Sequence, residues 1–252
     1  MLADSAPVEC IDVLGVPVAR LTLAEAQAAV VRLHDAPGPA LCAYVNAHSV
    51  NLAHRDEAYR AVLRSADLVL GDGAGIAIAA RVQGDRLPAN LNGSDFNPVI
   101  LQEAASRGWP VFLLGAKPGV AERAADALRG RIGALDIVGV HDGYFEDDHA
   151  IVGGIKASGA SVVMVAMGNP RQELWLRDHL AATGARLGVG VGAFFDFSAG
   201  HVRRAPTWMN RMGIEWIYRL TQEPARMWRR YILGNPVFLW RVLVARLTRS
   251  RR

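Results

Sequence analysis

The sequence predicts an α/β fold: a parallel Rossmann-like sheet with helices on both faces, followed by a C-terminal helical appendage that associates with membrane. Three observations carry this expectation. Short, continuous apolar runs alternate with segments of helical length up to residue 192, the pattern of strands buried on both faces of a parallel sheet. Past Asp196 that rhythm stops, and short helical patterns follow one another. Charge divides at the same place: residues 1–200 carry a net −6, whereas residues 201–252 carry a net +10, with 12 Arg, no Lys and four of the six Trp. The 252 residues therefore read as a domain over 1–200 and a basic, aromatic appendage over 201–252, with different jobs.

Taken in order, IDVLGVPVAR (11–20) reads as a hairpin turning near Gly15, and TLAEAQAAVVRL as a helix opened by a Thr22/Glu25 capping box. Strands are expected at 41–46, 67–71, 111–115, 135–140, 161–167 and 186–192. Helices are expected at 49–65, 74–83, 95–107, 119–131, 148–157 and 171–182. Right-handed crossovers place every strand's C-terminal end on one edge, where ligands bind in such sheets. In the appendage, PTWMNRM, IEWIYRLTQE, PARMWRRYILG and NPVFLWRVLVARL read as helices. Pro224 and Pro236 suit first helical positions, and Gly213 and Gly234 suit C-terminal stops. On the last helix Trp240, Leu243, Val244 and Leu247 share a face opposite Arg241, Arg246, Arg249 and Arg252, although Phe238 and Val242 blur the division. Such a helix suits an anionic membrane surface. The alternative is packing on the body, or on a second subunit of a homo-oligomer, with the arginines solvated.

Composition excludes several classes. Half the chain is hydrophobic (51%) and 21% is charged, so a sizeable core is expected rather than disorder. Cys10 and Cys42 have no metal-ligand or redox spacing and read as buried free thiols in a reducing compartment. MLADSAPVEC has no basic region followed by an apolar one, so no signal peptide is expected. No run reaches the roughly 18 apolar residues of a membrane span. The basic appendage carries no recognised nucleic-acid module. With no Asp-x-Asp, no HExxH and no Cys/His cluster, neither a metal nor a cofactor is expected.

Polar candidates gather at the strand ends: Asn46 and His48, Asp72, His141 to Tyr144, Gly168 to Gln172, and Asp196. GNPRQE (168–173) puts Pro170 at a helix start, leaving backbone N–H groups to face an anion, with Arg171 and Gln172 in the first turn. It also reads as an ordinary Pro-initiated helix. VLGDGAGIAIAARVQG (69–84) resembles a dinucleotide loop, but Ile76 stands where the third glycine of Gly-x-Gly-x-x-Gly belongs. Asp72 then puts a carboxylate where a pyrophosphate would lie. It reads either as a turn-forming Asp-Gly pair or as a positioned base. His34 and His54, inside helical stretches, read as surface or packing residues.

Eight motifs in chain order carry a resemblance: VNAHSVNLAHRD, DLVLGDGAGI, GSDF, VFLLGAKPGVAERAADAL, GVHDGYF, GNPRQELW, GVGAFFDFSAGHVRRAPTWM and GIEWIYRLTQEPARMWRRY. Over nearly its whole length the chain resembles the WecG/TagA/CpsF glycosyltransferases, glycosyltransferase family 26. The resemblance implies inverting, metal-independent transfer of a sugar from a UDP-sugar donor to a polyprenyl-diphosphate-linked sugar acceptor. The work would be done by a peripheral enzyme on the cytoplasmic face of the bacterial inner membrane. It implies that Asp72 is the general base and that UDP lies across Gly143–Tyr144, Gln172 and Asp196, near Gly168 and Asn46. It also implies that Arg219, Arg226 and Arg229 close over the site and stabilise the leaving diphosphate. Two positions depart from the family pattern. Tyr44-Val45-Asn46 stands where Thr-x-Asn is frequent, and Asn90 stands where an arginine is frequent three residues before the GSD glycine; Arg86 is near but not aligned. Both positions would line the sugar or acceptor end. A plain hexose such as glucose, as in the xanthan-type branch, therefore stands beside N-acetylmannosamine as the expected donor sugar. The alternatives in other classes are an NAD-type dehydrogenase, weakened by the broken fingerprint, and a non-catalytic, membrane-tethered nucleotide-binding module.

Overall fold

A computed structural model describes residues 8–202, 205, 206, 208, 209, 212 and 214–249, apart from the side chains of Arg226 and Arg249. The chain begins with a hairpin of β1 (Cys10–Val13) and β2 (Val16–Ala19), a two-stranded sheet of its own. There follow α1 (Leu23–Asp35), β3 (Ala40–Val45), α2 (Ala47–Ala53), α3 (Glu57–Ser65), β4 (Leu68–Gly71), α4 (Ala74–Val82) and α5 (Gly93–Arg107). The second half runs through β5 (Val111–Gly115), α6 (Val120–Ile132), β6 (Ile137–His141), α7 (Asp148–Ser158), β7 (Val162–Ala166), α8 (Arg171–Thr183), β8 (Leu187–Gly190) and α9 (Phe194–Ser198). Six strands form one parallel sheet in the order β4-β3-β8-β7-β5-β6.

Alternation along each strand feeds two cores, one per face. In β3, Cys42 and Tyr44 point to one, while Leu41, Ala43 and Val45 point to the other. Helices α1, α5 and α6 cover the first core; α2, α3, α4, α7 and α8 cover the second. The Thr22 capping box closes as expected, with Thr22 N–H donating to Glu25 Oε2 at 2.8 Å and Glu25 N–H to Thr22 Oγ1 at 3.3 Å. The single helix expected over 49–65 is instead two, because Asp56 accepts from Tyr59 N–H at 3.0 Å and restarts the chain as the cap of α3. Cys42 is fully buried, which pushes its thiol up to about 12, but Cys10 is exposed. Cys10 is the first residue of β1, whose exposure alternates, so the expectation that both thiols are buried fails there.

After α9 the described chain forms α10 (Glu215–Gln222), α11 (Pro224–Trp228), a π-helical turn (Arg229–Leu233) and α12 (Gly234–Arg249). Pro224 opens α11 as expected, but Gly234 ends nothing: its φ of −69° and ψ of −41° are helical, and the chain runs through it into α12. Pro236, expected at a first helical position, is instead the third residue of α12. Gly213 lies outside the described residues. Helix α12 packs on α2 and α4 through Phe238 and Val242, 0% and 1% exposed, side chains of a kind whose burial is worth about 2 kcal/mol each. Trp240, Leu243, Val244 and Leu247 remain exposed on its other side. The helix therefore has two apolar faces, one seated on the body and one open. No helix among the described residues is long and apolar enough to cross a membrane.

Candidate active site

All six parallel strands end at one edge, and a cavity of about 710 Å³ opens there. Each strand delivers lining residues: Tyr44 and Asn46 from β3, Asp72 from β4, Lys117 from β5, Gly143 and Tyr144 from β6, and Gly168, Asn169, Arg171 and Gln172 from β7. The turn after β8 adds Gly192 and Asp196, and the appendage adds Arg219, Arg229 and Arg230. Asn90 is exposed and is not part of the lining; neither is Arg86. The Arg226 side chain lies outside the described residues.

Asp72 is half-buried where β4 turns into α4. Its N–H donates to Val45 O at 2.8 Å, fixing it beside the end of β3. The surrounding glycines have structural reasons of their own. Gly73 turns the chain at φ 86°, and a Cβ on Gly75 would lie 3.1 Å from the Ala47 side chain, so glycine lets α4 approach α2. Burial raises the Asp72 carboxyl above its ordinary value, opposed by Arg219, by Arg230 and by a hydrogen bond from the Asn46 side chain. Asn46 reaches Asp72 while its oxygen caps α2, accepting from His48 N–H at 3.0 Å and Ser49 N–H at 3.2 Å. A carboxylate made more basic by its surroundings, in a cleft open to ligand, is the chemistry of a general base.

Positive charge lines the same cavity. The Arg219 guanidinium sits over the Phe197 ring at 4.9 Å, Arg229 over Trp228 at 5.3 Å and Arg171 over Phe145 at 5.4 Å. Aromatic faces hold these forks without neutralising them, leaving their donors for an anion. Arg230, beside the expected Arg229, joins Arg219 in the field acting on Asp72. It also helps hold His48, which lines the cavity too, neutral: burial first, then Arg230, pushes that imidazole down to about 4. Among the described residues no group of three or more His, Cys, Asp or Glu is placed to hold a metal.

Two lining residues spend their polar groups within the protein. The Tyr44 hydroxyl donates to Asn97 Oδ1 at 2.7 Å, so the cavity meets its ring. Gln172 is 1% exposed; its Oε1 accepts from Gly168 N–H and Gly192 N–H, both at 3.1 Å. Gln172 N–H itself donates to Gly168 O at 3.0 Å, so this N–H of the α8 first turn does not face an anion, contrary to the GNPRQE expectation. Next to it Glu173, wholly buried, accepts at Oε1 from Asn169 Nδ2 at 2.6 Å and Gln172 Nε2 at 2.8 Å. Burial pushes this carboxyl up to about 7. A raised folded-state value means stability fully present below the unfolded value of 4.5 and lost as pH rises through about 7. In urea unfolding the native chain should lose about 2.5 kcal/mol of stability between pH 5 and pH 8.5, and Glu173→Gln should remove that loss. Equal pH dependence in both proteins would show that Glu173 is not the titrating group.

Sequence reading missed Lys117, Arg230 and Glu173. Lys117 follows the apolar run VFLLG, so the strand-end rule that found Asn46 and Asp72 would have reached it. Nothing in the sequence separates Arg230 from its neighbour. His141 stays outside the lining, with Nδ1 2.8 Å from Asp142 O.

Compared with known protein families, residues 11–252 match the model described as "Glycosyl transferase WecG/TagA/CpsF family".

Proposed function

Because the chain belongs to the WecG/TagA/CpsF family and is a glycosyltransferase, we propose that it transfers a sugar from a UDP-sugar to a polyprenyl-diphosphate-linked sugar, with inversion and without a metal. N-acetylmannosamine and a hexose such as glucose are the two candidate sugars. The observation that carries the reading is Asp72, a carboxyl of raised basicity in a cleft also lined by Arg219, Arg229 and Arg230. Asp72 takes the proton of the acceptor hydroxyl as that oxygen bonds to the anomeric carbon. The bond from that carbon to the diphosphate breaks, and UDP leaves with the electron pair. UDP lies across Gly143–Tyr144 beside Gly168, Gln172 and Asp196, with the sugar toward Asn46 and Tyr44. Arg219, Arg229 and, by the family resemblance, Arg226 stabilise the diphosphate charge as it develops. A screen of UDP-sugars against a polyprenyl-diphosphate-sugar acceptor should show acceptor-dependent UDP release with one donor class, undiminished by excess EDTA. Loss of release on chelation, restored by Mg²⁺ or Mn²⁺, would overturn the arginine account of the leaving group.

The same reading places the enzyme on the cytoplasmic face of the inner membrane. Trp228, Ile232, Leu233, Trp240, Leu243 and Leu247 are exposed on the appendage, whose sequence carries ten net positive charges. Each basic residue near an anionic surface is worth about 1 kcal/mol, and inserted apolar side chains add to that. Co-sedimentation with anionic vesicles should weaken as salt rises. The pair Trp240→Glu and Leu247→Glu should abolish it without unfolding, because Phe238 and Val242 keep α12 seated. Salt-insensitive binding to neutral vesicles would contradict the electrostatic part.

A further inference from the structure

Gln172 stands where the donor nucleotide is proposed to lie, yet its carboxamide has no free end. Its oxygen receives the N–H groups of Gly168 and Gly192, which open the loops after β7 and β8. Both loops line the cavity. One side chain thus ties two walls of the site to each other. An amide can do this only in one orientation, since flipping it would set its NH₂ against two backbone N–H donors.

We infer that Glu173 is a positioning residue that locks the Gln172 carboxamide in this orientation and thereby sets the spacing of the two loops around the donor. Glu173 Oε1, 2.8 Å from Gln172 Nε2, accepts from the nitrogen, so the oxygen is left for Gly168 and Gly192. The same oxygen accepts from Asn169 Nδ2 at 2.6 Å, which also donates to the Tyr59 hydroxyl at 3.1 Å. The clamp therefore reaches the lining residue Asn169 and is braced against α3. Glu173 is itself 0% exposed and touches no ligand space, and its Oε2 has no hydrogen-bond partner among the described residues. Leaving a buried carboxyl oxygen without a partner is costly. The amide lock needs the Oε1 acceptor. Gly190, in β8, completes the arrangement: a Cβ there would lie 2.9 Å from Gln172 Nε2 and push the amide aside.

The inference rests on the donor-site reading, and titration calorimetry with UDP on the folded full chain separates the two. Wild type should bind UDP, Glu173→Gln should bind it with closely similar affinity because its carbonyl still accepts from both amides, and Glu173→Leu should lose about tenfold, the worth of one well-placed hydrogen bond. Because dissociation constants are measured on folded protein, a purely structural role would lower the unfolding temperature and leave them unmoved. Wild-type affinity in Glu173→Leu, or an equal loss in Glu173→Gln, would overturn the lock. If Glu173→Leu does not fold, Gly190→Ala carries the test: the lock requires weakened UDP binding, and unchanged binding would overturn it. Failure of the wild type itself to bind UDP would overturn the donor-site reading, and the lock with it.

Discussion

Replacing Asp72 with Asn should lower turnover by about 10²–10⁴-fold, the usual contribution of a general base, while UDP affinity changes little. The amide keeps the shape of the carboxyl and can still pair with Asn46, so the turn between β4 and α4 stays in place, with its N–H on Val45 O. What disappears is the lone pair that receives the acceptor proton. Turnover should be read with saturating donor and acceptor, beside calorimetric UDP binding on the same preparation. Wild-type turnover in the variant would remove Asp72 from the mechanism. Lost UDP binding with intact turnover per bound donor would make it a binding residue instead.

Arg219→Ala should have the next largest effect. Removing one preorganised donor to developing charge typically costs about 10²–10³-fold in kcat. A second consequence separates this from simple loss of binding. Arg219 is the largest of the influences lowering the Asp72 pKa against burial. Without it the carboxyl moves further up, and because the deprotonated form is the base, the acid limb of the pH–rate profile should shift to higher pH. A slower enzyme with an unmoved acid limb would place Arg219 on the diphosphate but away from Asp72.

The fold was largely legible because buried parallel strands and amphipathic helices write different periods into the chain. SVVMVAM and VFLLG have no polar face and could only be interior strands, and Thr22 with Glu25 marked a helix start. Asp56 misled because HRD lies inside an otherwise helical pattern, and whether an Asp caps or rides on a helix depends on the direction the chain takes next. Strand order, with β8 between β3 and β7, is set by packing across the whole sheet and leaves no local mark. The site was legible as far as strand ends reach, which brought Asn46, Asp72, Gly143, Gly168 and Asp196 to one cavity. The partners of those residues were not. That Tyr44 spends its hydroxyl on Asn97, or that Gln172 faces inward on Glu173, depends on contacts across elements. Likewise the periodicity of α12 showed an apolar stripe but not which side Phe238 would seat.

The central claim is a single displacement in which Asp72 deprotonates the acceptor hydroxyl and UDP departs from the opposite side of the anomeric carbon. The anomeric configuration of the first-formed product, read by NMR from the one-bond C1–H1 coupling at the new glycosidic linkage, tests it most directly. The account predicts a configuration inverted relative to the UDP-sugar donor. Retention would require either a covalent sugar–enzyme intermediate or front-side attack, and would contradict the role assigned to Asp72.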